Sequence, residues 1–371
     1  MKEDNVLQVY YEEKRVGILA LTADHKAAFQ YDEKWLENGF SISPFSLPLK
    51  KQVFLPTKDY FSGLFGVFAD SLPDNWGRLL LDRLIRAHKQ APDELTVLDR
   101  LAIVGKSGMG ALTYYPEKSF SEQTGNLDLD ELAEECQKIL NTEYSDKLDE
   151  LYRLGGTSGG TRPKIMTTIN GEEWIIKFPA HVDGKDTGKM EYDYSCCARQ
   201  CGIVMSETRL FPSDKCKGYF GTKRFDRRPD GKRLHMLTAA ALLELDFEQP
   251  SLDYHSLMKL TKILTRDNAE DMENMFRRMC FNVFAHNRDD HSKNFSYIYK
   301  NNRWHLSPAY DLTYSNSIGG EHATTVNGNG RNPQMKDILA VAAQIKLNPK
   351  KAKTIATDIQ EIVNEELKEY I

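Results

Sequence analysis

Apolar and polar positions alternate in VLQVYYE and VGILAL, and residues 5 to 31 are rich in β-branched and aromatic side chains, so this stretch predicts strands. Asn38-Gly39 marks a turn. A polar loop carrying Pro44, Pro48 and Pro56 leads to FSGLFGVFADSLPDNWGRLLLDRLIRAHK, where the period changes. Leu79, Leu80, Leu81, Leu84 and Ile85 form a helical stripe, and Ser71, ahead of Pro73, is its expected cap. Together these elements predict a small α+β subdomain ending near Pro116. Inside it, VGKSGMGAL ends like a Walker phosphate loop in Gly105-Lys106-Ser107, but the first glycine of that motif is replaced by Arg100. A glycine-rich hairpin is the expectation there.

Residues 117 to 150 are polar, with a helical pattern in LDLDELAEECQKIL. The apolar pattern resumes in LGGTSGGTRPKIMTTINGEEWIIKFPA, residues 154 to 180. KIMTTI and WIIKF alternate as two strands around Asn170-Gly171, a strong hairpin signal. GKMEYDYSCCARQCGI reads as a helix, and VMSETRLF and YFGTKRFDRR read as strands. From about residue 234 the period is helical in LHMLTAAALLEL, YHSLMKLTKIL and DMENMFRRMCFNVFAHN. A short strand–turn–strand follows, and residues 334 to 371 form two amphipathic helices parted at Asn348-Pro349.

With 371 residues the chain can build two or more lobes with substantial cores and needs no disulfide staples. Its 40% hydrophobic and 28% charged content is that of an ordinary globular protein. The N-terminus carries no signal-peptide core and no apolar run reaches bilayer length, so the expected location is the cytoplasm. Six cysteines lie without paired C-x-x-C spacing, and the Cys196, Cys197 and Cys201 group reads as buried thiols rather than a zinc site. A formal charge of −5 argues against nonspecific nucleic-acid binding by the whole surface.

The densest chemistry lies in FAHNRDDHSKNFSYIYKNNRWHLSPAYDLT, beginning at Phe284. Asp289 is followed five positions later by Asn294, and a second acid, Asp311, comes after the expected hairpin. Phosphoryl transfer needs a carboxylate for the nucleophile's proton, with an amide oxygen and another carboxylate to hold Mg²⁺. Turn chemistry alone also favours Asp and Asn. Upstream, however, four glycines with Thr157, Ser158 and Thr161 offer backbone N–H groups to phosphate oxygens, and Lys177 projects from the strand beside that loop. A phosphate cradle, a lysine, a base and metal ligands thus occur in the order a kinase uses them. Glu191, early in the following helix, is the candidate partner for the lysine.

These motifs resemble the HipA family of bacterial serine/threonine kinases, the toxin half of HipA–HipB toxin–antitoxin pairs. FADSLPDNWGRLLL resembles the family's N-terminal signature, GGTSGGTRPK its glycine loop, and IIKFP its lysine strand. RFDR resembles the hinge, and HNRDDHSKNFS with LSPAYDL the catalytic loop and metal-binding segment. The resemblance implies an α+β, bilobal, protein-kinase-like fold: residues 1–116 as an added N-terminal subdomain, 117–233 as a mixed N-lobe and 234–371 as a mostly helical C-lobe. It implies ATP and Mg²⁺ as cofactors, Asp289 as catalytic base, and Asn294 and Asp311 as metal ligands. ATP would be bound by Gly159, Gly160, Thr161, Lys164, Lys177, Lys223, Phe225, His291, Lys293, Asn294, Tyr310 and Asp311. The family autophosphorylates a serine in the glycine loop; here Thr157 stands at that place with Ser158 beside it. Asp290 stands where many relatives have glycine and is a rival for the base. The family's targets include translation components such as aminoacyl-tRNA synthetases, and its partner is a helix-turn-helix antitoxin that binds DNA.

Two other readings compete. One is a catalytically silent kinase fold serving as co-repressor with a DNA-binding antitoxin. The other is a metal-dependent phosphohydrolase with His286, Asp289, Asp290 and His291 as ligands, which leaves the glycine loop and Lys177 unused.

Overall fold

The alternating N-terminal segments form an antiparallel sheet. Strands Val6–Tyr11, Lys14–Leu21 and Ala27–Tyr31 are joined by Val53–Phe54 at one edge and Leu112–Tyr115 at the other. A computed structural model of the chain describes residues 6–118, 128–180, 183–246, 249–317 and 319–371. Part of the expected polar stretch, 119–127, therefore lies outside the described residues, as does residue 5 at the start of the expected strands. The fold is mixed α/β and kinase-like. It comprises two compact units: Met1–Asp186 with Phe211–Leu237 and Ala241–Glu244, and Thr187–Leu210 with Thr238–Ala240 and Leu245–Ile371.

In the first unit the leucine stripe becomes helix Asn75–Ala87, which buries Trp76, Leu80, Leu81, Leu84 and Ile85. Its core partners are Leu132, Cys136 and Ile139 of helix Leu129–Leu140, Leu151 and Leu154 of helix Leu148–Gly155, and Ile165, Ile176 and Phe178. The N-terminal helix and the lysine hairpin are thus built around one apolar core. That hairpin pairs Lys164–Ile169 with Glu172–Lys177 across Asn170 and Gly171. Both turn residues have positive φ, 52° and 80°, as a two-residue loop matched to strand twist requires. Tyr219–Lys223 adds a third antiparallel strand beside Glu172–Lys177.

Three local expectations change. Helix Asn75–Ala87 has Asp74, not Ser71, at its N-cap position; Ser71 is buried and accepts the Tyr114 hydroxyl at 2.6 Å. The 105–110 glycine segment is not a hairpin, because it joins helix Val97–Val104 to strand Leu112–Tyr115. The helical pattern expected from 234 begins as a strand, His235–Thr238, before helix Ala239–Leu243. His235 is fully buried there, with Nε2 2.7 Å from the Ile42 carbonyl, and tertiary burial of that kind overrides local propensity.

The charged residues of RFDRR turn inward. Arg224 donates two hydrogen bonds to Asp226, at 3.0 and 2.8 Å, and Arg227 donates a third at 2.7 Å. The Gly110 amide also donates to Asp226, at 2.7 Å, while Arg227 reaches the Gly108 and Gly110 carbonyls, both at 2.9 Å. A wholly buried carboxylate thereby ties the segment after the third strand to the glycine segment at 108–110.

The second unit is mostly helical, with Thr187–Gln200, Tyr254–Leu264, Ala269–Phe284, Met335–Gln344 and Pro349–Glu366. The last two match the expected C-terminal pair, and Asn348 caps the second by accepting the Lys351 amide at 3.1 Å. The strand–turn–strand appears as Ser296–Lys300 and Arg303–Leu306, with positive φ at Asn301 and Asn302. Among the described residues no helix is long and apolar enough to cross a membrane.

The Asp226 knot predicts an acid-sensitive fold. Although burial opposes ionisation, the two guanidiniums and the Gly110 amide hold its pKa at about 2, against an ordinary 3.8. Its contribution is therefore complete above pH 3.8 and is lost as pH falls towards about 2. Asp226→Asn leaves two buried guanidiniums with only the Glu173 carboxylate, 3.3 Å from each, as counter-charge, and the expected cost at neutral pH is about 3 kcal/mol, read as a lower urea midpoint. The gap from wild type should narrow when the titration is repeated below pH 3.8.

Candidate active site

Helix Leu148–Gly155 ends in two glycines because the chain has no room for side chains there. A Cβ on Gly155 would lie 2.2 Å from the Lys164 carbonyl, and one on Gly156 would lie 2.2 Å from the Tyr152 ring. The loop that follows is held from three directions. Asp74 accepts the Gly160 amide at 2.8 Å, Trp76 N–H donates to the Gly160 carbonyl at 3.3 Å, and Lys164 Nζ donates to the Gly159 carbonyl at 2.5 Å. Gly160 has φ +86°, a left-handed conformation that a side chain would strain. Arg162 makes a bidentate pair with Asp183 at 2.9 and 3.1 Å.

Lys177 lies directly opposite Lys164 in the hairpin register, so both side chains stand on one sheet face beside the loop. The Lys177 ammonium lies 5.6 Å from the centroid of the Phe220 ring. Thr157, Ser158, Gly159, Gly160, Thr161, Lys164 and Lys177 thus form one neighbourhood. Lys223 is ion-paired with Glu172, at the turn end of the hairpin, and Phe225 is half-buried beyond it. The two candidate acceptor hydroxyls are turned inward: Thr157 donates to the Ser107 carbonyl at 3.1 Å and Ser158 to the Gly155 carbonyl at 2.6 Å.

In the second unit, helix Ala269–Phe284 delivers the chain into the Asp289 to Asn294 segment. The adjacent acids have opposite surroundings. Asp289 has a side chain 64% exposed, with His291 Nε2 3.9 Å away. Asp290 is fully buried; it accepts the Tyr254 hydroxyl at 2.9 Å and the Thr324 amide at 3.1 Å, and His322 Nδ1 lies 3.0 Å away. Its own carbonyl accepts the Thr324 hydroxyl at 2.5 Å. A carboxylate so committed is unavailable to a substrate hydroxyl, and Asp290 is removed as a rival for the base.

The remaining residues are set by the same network. Asn282 donates to the Tyr254 hydroxyl at 2.8 Å, and Asn287 donates to Asn282 at 2.9 Å and to the Asp311 carbonyl at 3.4 Å. Asn294 donates through Nδ2 to the Asp289 carbonyl at 2.7 Å, so its remaining group, the amide oxygen, is the one a cation can use. His291 Nδ1 accepts the Lys293 amide at 3.2 Å, and Tyr310 donates to the Lys293 carbonyl at 2.7 Å. Asp311 has φ +53°, a conformation rare outside glycine and often stored at functional sites. An amide oxygen and a carboxylate, as on Asn294 and Asp311, are the donor types that a hard cation takes. Glu191 is buried in helix Thr187–Gln200.

The phosphohydrolase ligands do not converge. Asp290 faces Tyr254 and His322, and among the described residues no three His, Cys, Asp or Glu side chains group as a metal site. Burial is the largest influence on His286, with Arg288 and His322 adding to it, and together they hold its pKa below the ordinary value.

Sequence reasoning missed Tyr254, Asn282, His322 and Arg278. Arg278 is fully buried; it donates to Asn274 at 3.1 Å and to the Ser307 carbonyl, anchoring the start of LSPAYDL. Burial pushes its pKa down to about 10. A signal was available, since Asn274, Arg278 and Asn282 recur every four residues inside an otherwise apolar helix face. Tyr254 and His322 carry no such mark.

Comparison with known proteins bears on the family and the fold. Residues 7–115 match the model for the HipA N-terminal domain, and residues 156–367 match that for the HipA-like C-terminal domain. Two Sinorhizobium fredii proteins are similar in sequence. "Putative kinase Y4dM" is 25% identical over 94% of this chain and 88% of its own, and "Putative kinase Y4mE" is 24% identical over 83% and 76%. Among solved structures, HipA from the Shewanella oneidensis MR-1 complex of HipA, HipB and operator DNA superposes with a TM-score of 0.73. It is 18% identical, and the match covers 98% of this chain and 90% of that one.

The contrast between the adjacent acids is testable by thermal melting. Asp290→Ala leaves His322, Tyr254 and the Thr324 amide without a shared acceptor, and a loss of about 3–5 kcal/mol is expected. Asp289→Ala removes an exposed side chain and should leave the melting temperature unchanged. Equal melting temperatures for the two variants would contradict the assignment.

Proposed function

The chain belongs to the HipA family, and on that premise we propose that it is an ATP- and Mg²⁺-dependent serine/threonine protein kinase acting as the toxin of a toxin–antitoxin pair. The observation that carries the reading is the division of labour between Asp289 and Asp290. One acid is presented to solvent on a loop that its neighbour pins from inside. Asp289 accepts the proton of the attacking hydroxyl as the new P–O bond forms and ADP leaves. Lys177 places an ammonium against the nucleotide phosphates, and the amides of the Gly159 to Lys164 loop share that charge. Glu191 orients the lysine. When bound, Mg²⁺ held by Asn294 and Asp311 screens the phosphate charge. Lys223 and Phe225 border the adenine, while His291, Lys293 and Tyr310 shape the floor of the nucleotide site.

The acceptor is a serine or threonine of a cellular protein, a translation component such as an aminoacyl-tRNA synthetase fitting the family's habit. The protein acts in the cytoplasm with a HipB-like helix-turn-helix antitoxin, and DNA is engaged through that partner. Autophosphorylation at Thr157 or Ser158 would replace a buried hydroxyl hydrogen bond with about two negative charges, expelling the loop and silencing the enzyme.

The reading is tested by intact mass followed by incubation with Mg²⁺ and labelled ATP. Unmodified wild-type protein should take up label; Asp289→Gln and Lys177→Ala should lose at least about 100-fold in rate. Wild-type protein that is unphosphorylated at the outset, and neither binds ATP nor takes up label at any Mg²⁺ concentration, overturns the kinase assignment. Undiminished cellular toxicity of Asp289→Asn would instead favour the non-catalytic co-repressor.

A further inference from the structure

Asp74 occupies the N-cap position of the 13-residue helix Asn75–Ala87, with the extended backbone of a cap, φ −80° and ψ −162°. Aspartate is among the best capping residues because its carboxylate accepts the otherwise unpaired N2 or N3 amide. Here the carboxylate makes no side-chain cap hydrogen bond. It is turned to the Gly160 amide at 2.8 Å, while the N2 amide, Trp76 N–H, donates to the Gly160 carbonyl at 3.3 Å. One glycine of the phosphate loop is thus held at both its amide and its carbonyl by the start of this helix. A Cβ on Gly159 would lie 3.2 Å from the same carboxylate oxygen.

We infer that Asp74 is a built-in phosphate surrogate, a carboxylate whose hold on the Gly160 amide competes with the phosphates of a nucleoside triphosphate and must be given up for them to take that amide. The inference rests on the nucleotide reading of the loop. A carboxylate and a phosphate oxygen cannot share one N–H, and two anions at hydrogen-bond separation repel. The departing carboxylate has a ready destination: when the loop shifts and the Gly160 carbonyl is released, the Trp76 amide is freed, and Asp74 can accept it as an ordinary cap. The two states exchange one charge-assisted hydrogen bond for another, so a modest difference in phosphate affinity is enough to move the equilibrium. Asp74 is then a positioning residue that sets nucleotide affinity rather than a group that takes part in the chemistry.

The experiment is calorimetry on the full unphosphorylated chain with Mg²⁺ and a non-hydrolysable ATP analogue, with adenosine alone as the phosphate-free control. Asp74→Asn keeps capping ability and removes the charge. It should bind the analogue about tenfold more tightly than wild type and bind adenosine equally well. Unchanged or weaker analogue binding, with wild type itself binding, overturns the surrogate and leaves the kinase reading intact. Failure of wild type to bind the analogue at all overturns both. Asp74→Ser, whose hydroxyl also caps, serves if the asparagine variant fails to fold. A crystal structure of wild type with the analogue gives an answer independent of any variant. The surrogate requires the carboxylate on the Trp76 or Gly77 amide, and finding it still on Gly160 disproves it.

Discussion

A buried carboxylate, Asp290, is the constraint on which the Asp289 to Asn294 segment depends. An ion of that kind is tolerated inside a protein only when donors surround it. Tyr254 supplies one from one stretch of chain, and His322 and the Thr324 amide supply the others from a second. The residue on one side of it, Asp289, is consequently presented outward, and through Asn282 and Asn287 the same hydrogen-bonded chain reaches the Asp311 backbone. The position and backbone conformation of the two outer acids follow from how the inner one is satisfied.

In the first unit the comparable constraint is close packing without side chains. Glycines at 155 and 156 let helix Leu148–Gly155 stop against strand Lys164–Ile169, and the loop between them is gripped by residues from well upstream, Asp74 and Trp76. Trp76 contributes twice, since its indole also donates to the Lys164 carbonyl at 3.2 Å. The glycine loop and the lysine strand thereby take their shape from a helix that lies well before them in the sequence. The Asp226 knot repeats the pattern, tying the end of the third strand back to Gly108 and Gly110.

Much of this was legible because it is local. Asn170-Gly171 fixes a hairpin register and therefore where Lys177 stands, and the spacing from Asp289 to Asn294 and Asp311 is what the proposed site is drawn from. What could not be read was tertiary. Asp289 and Asp290 are chemically identical neighbours, and only the arrival of His322 and Tyr254 from elsewhere distinguishes them. Ser71 and Asp74 are both good caps, and Ser71 is taken by the Tyr114 hydroxyl. The segment beginning at His235 carries a helical pattern, yet burial of its histidine against Ile42 goes with a strand. Arg278 is the intermediate case, since a polar residue every fourth position in an apolar helix is visible, but its partners are not.

The shared core around helix Asn75–Ala87 bears on how the chain can be divided. The two family segments meet this protein at residues 7–115 and 156–367, yet Leu80, Leu81 and Leu84 from the first pack with Ile165, Ile176 and Phe178 from the second. Contacts of that density couple the segments into one cooperative folding unit. A cut between them would bare a contiguous apolar face on each fragment and leave the glycine loop without its grip. The smallest independently folding piece that holds the lysine strand must therefore also include helix Asn75–Ala87.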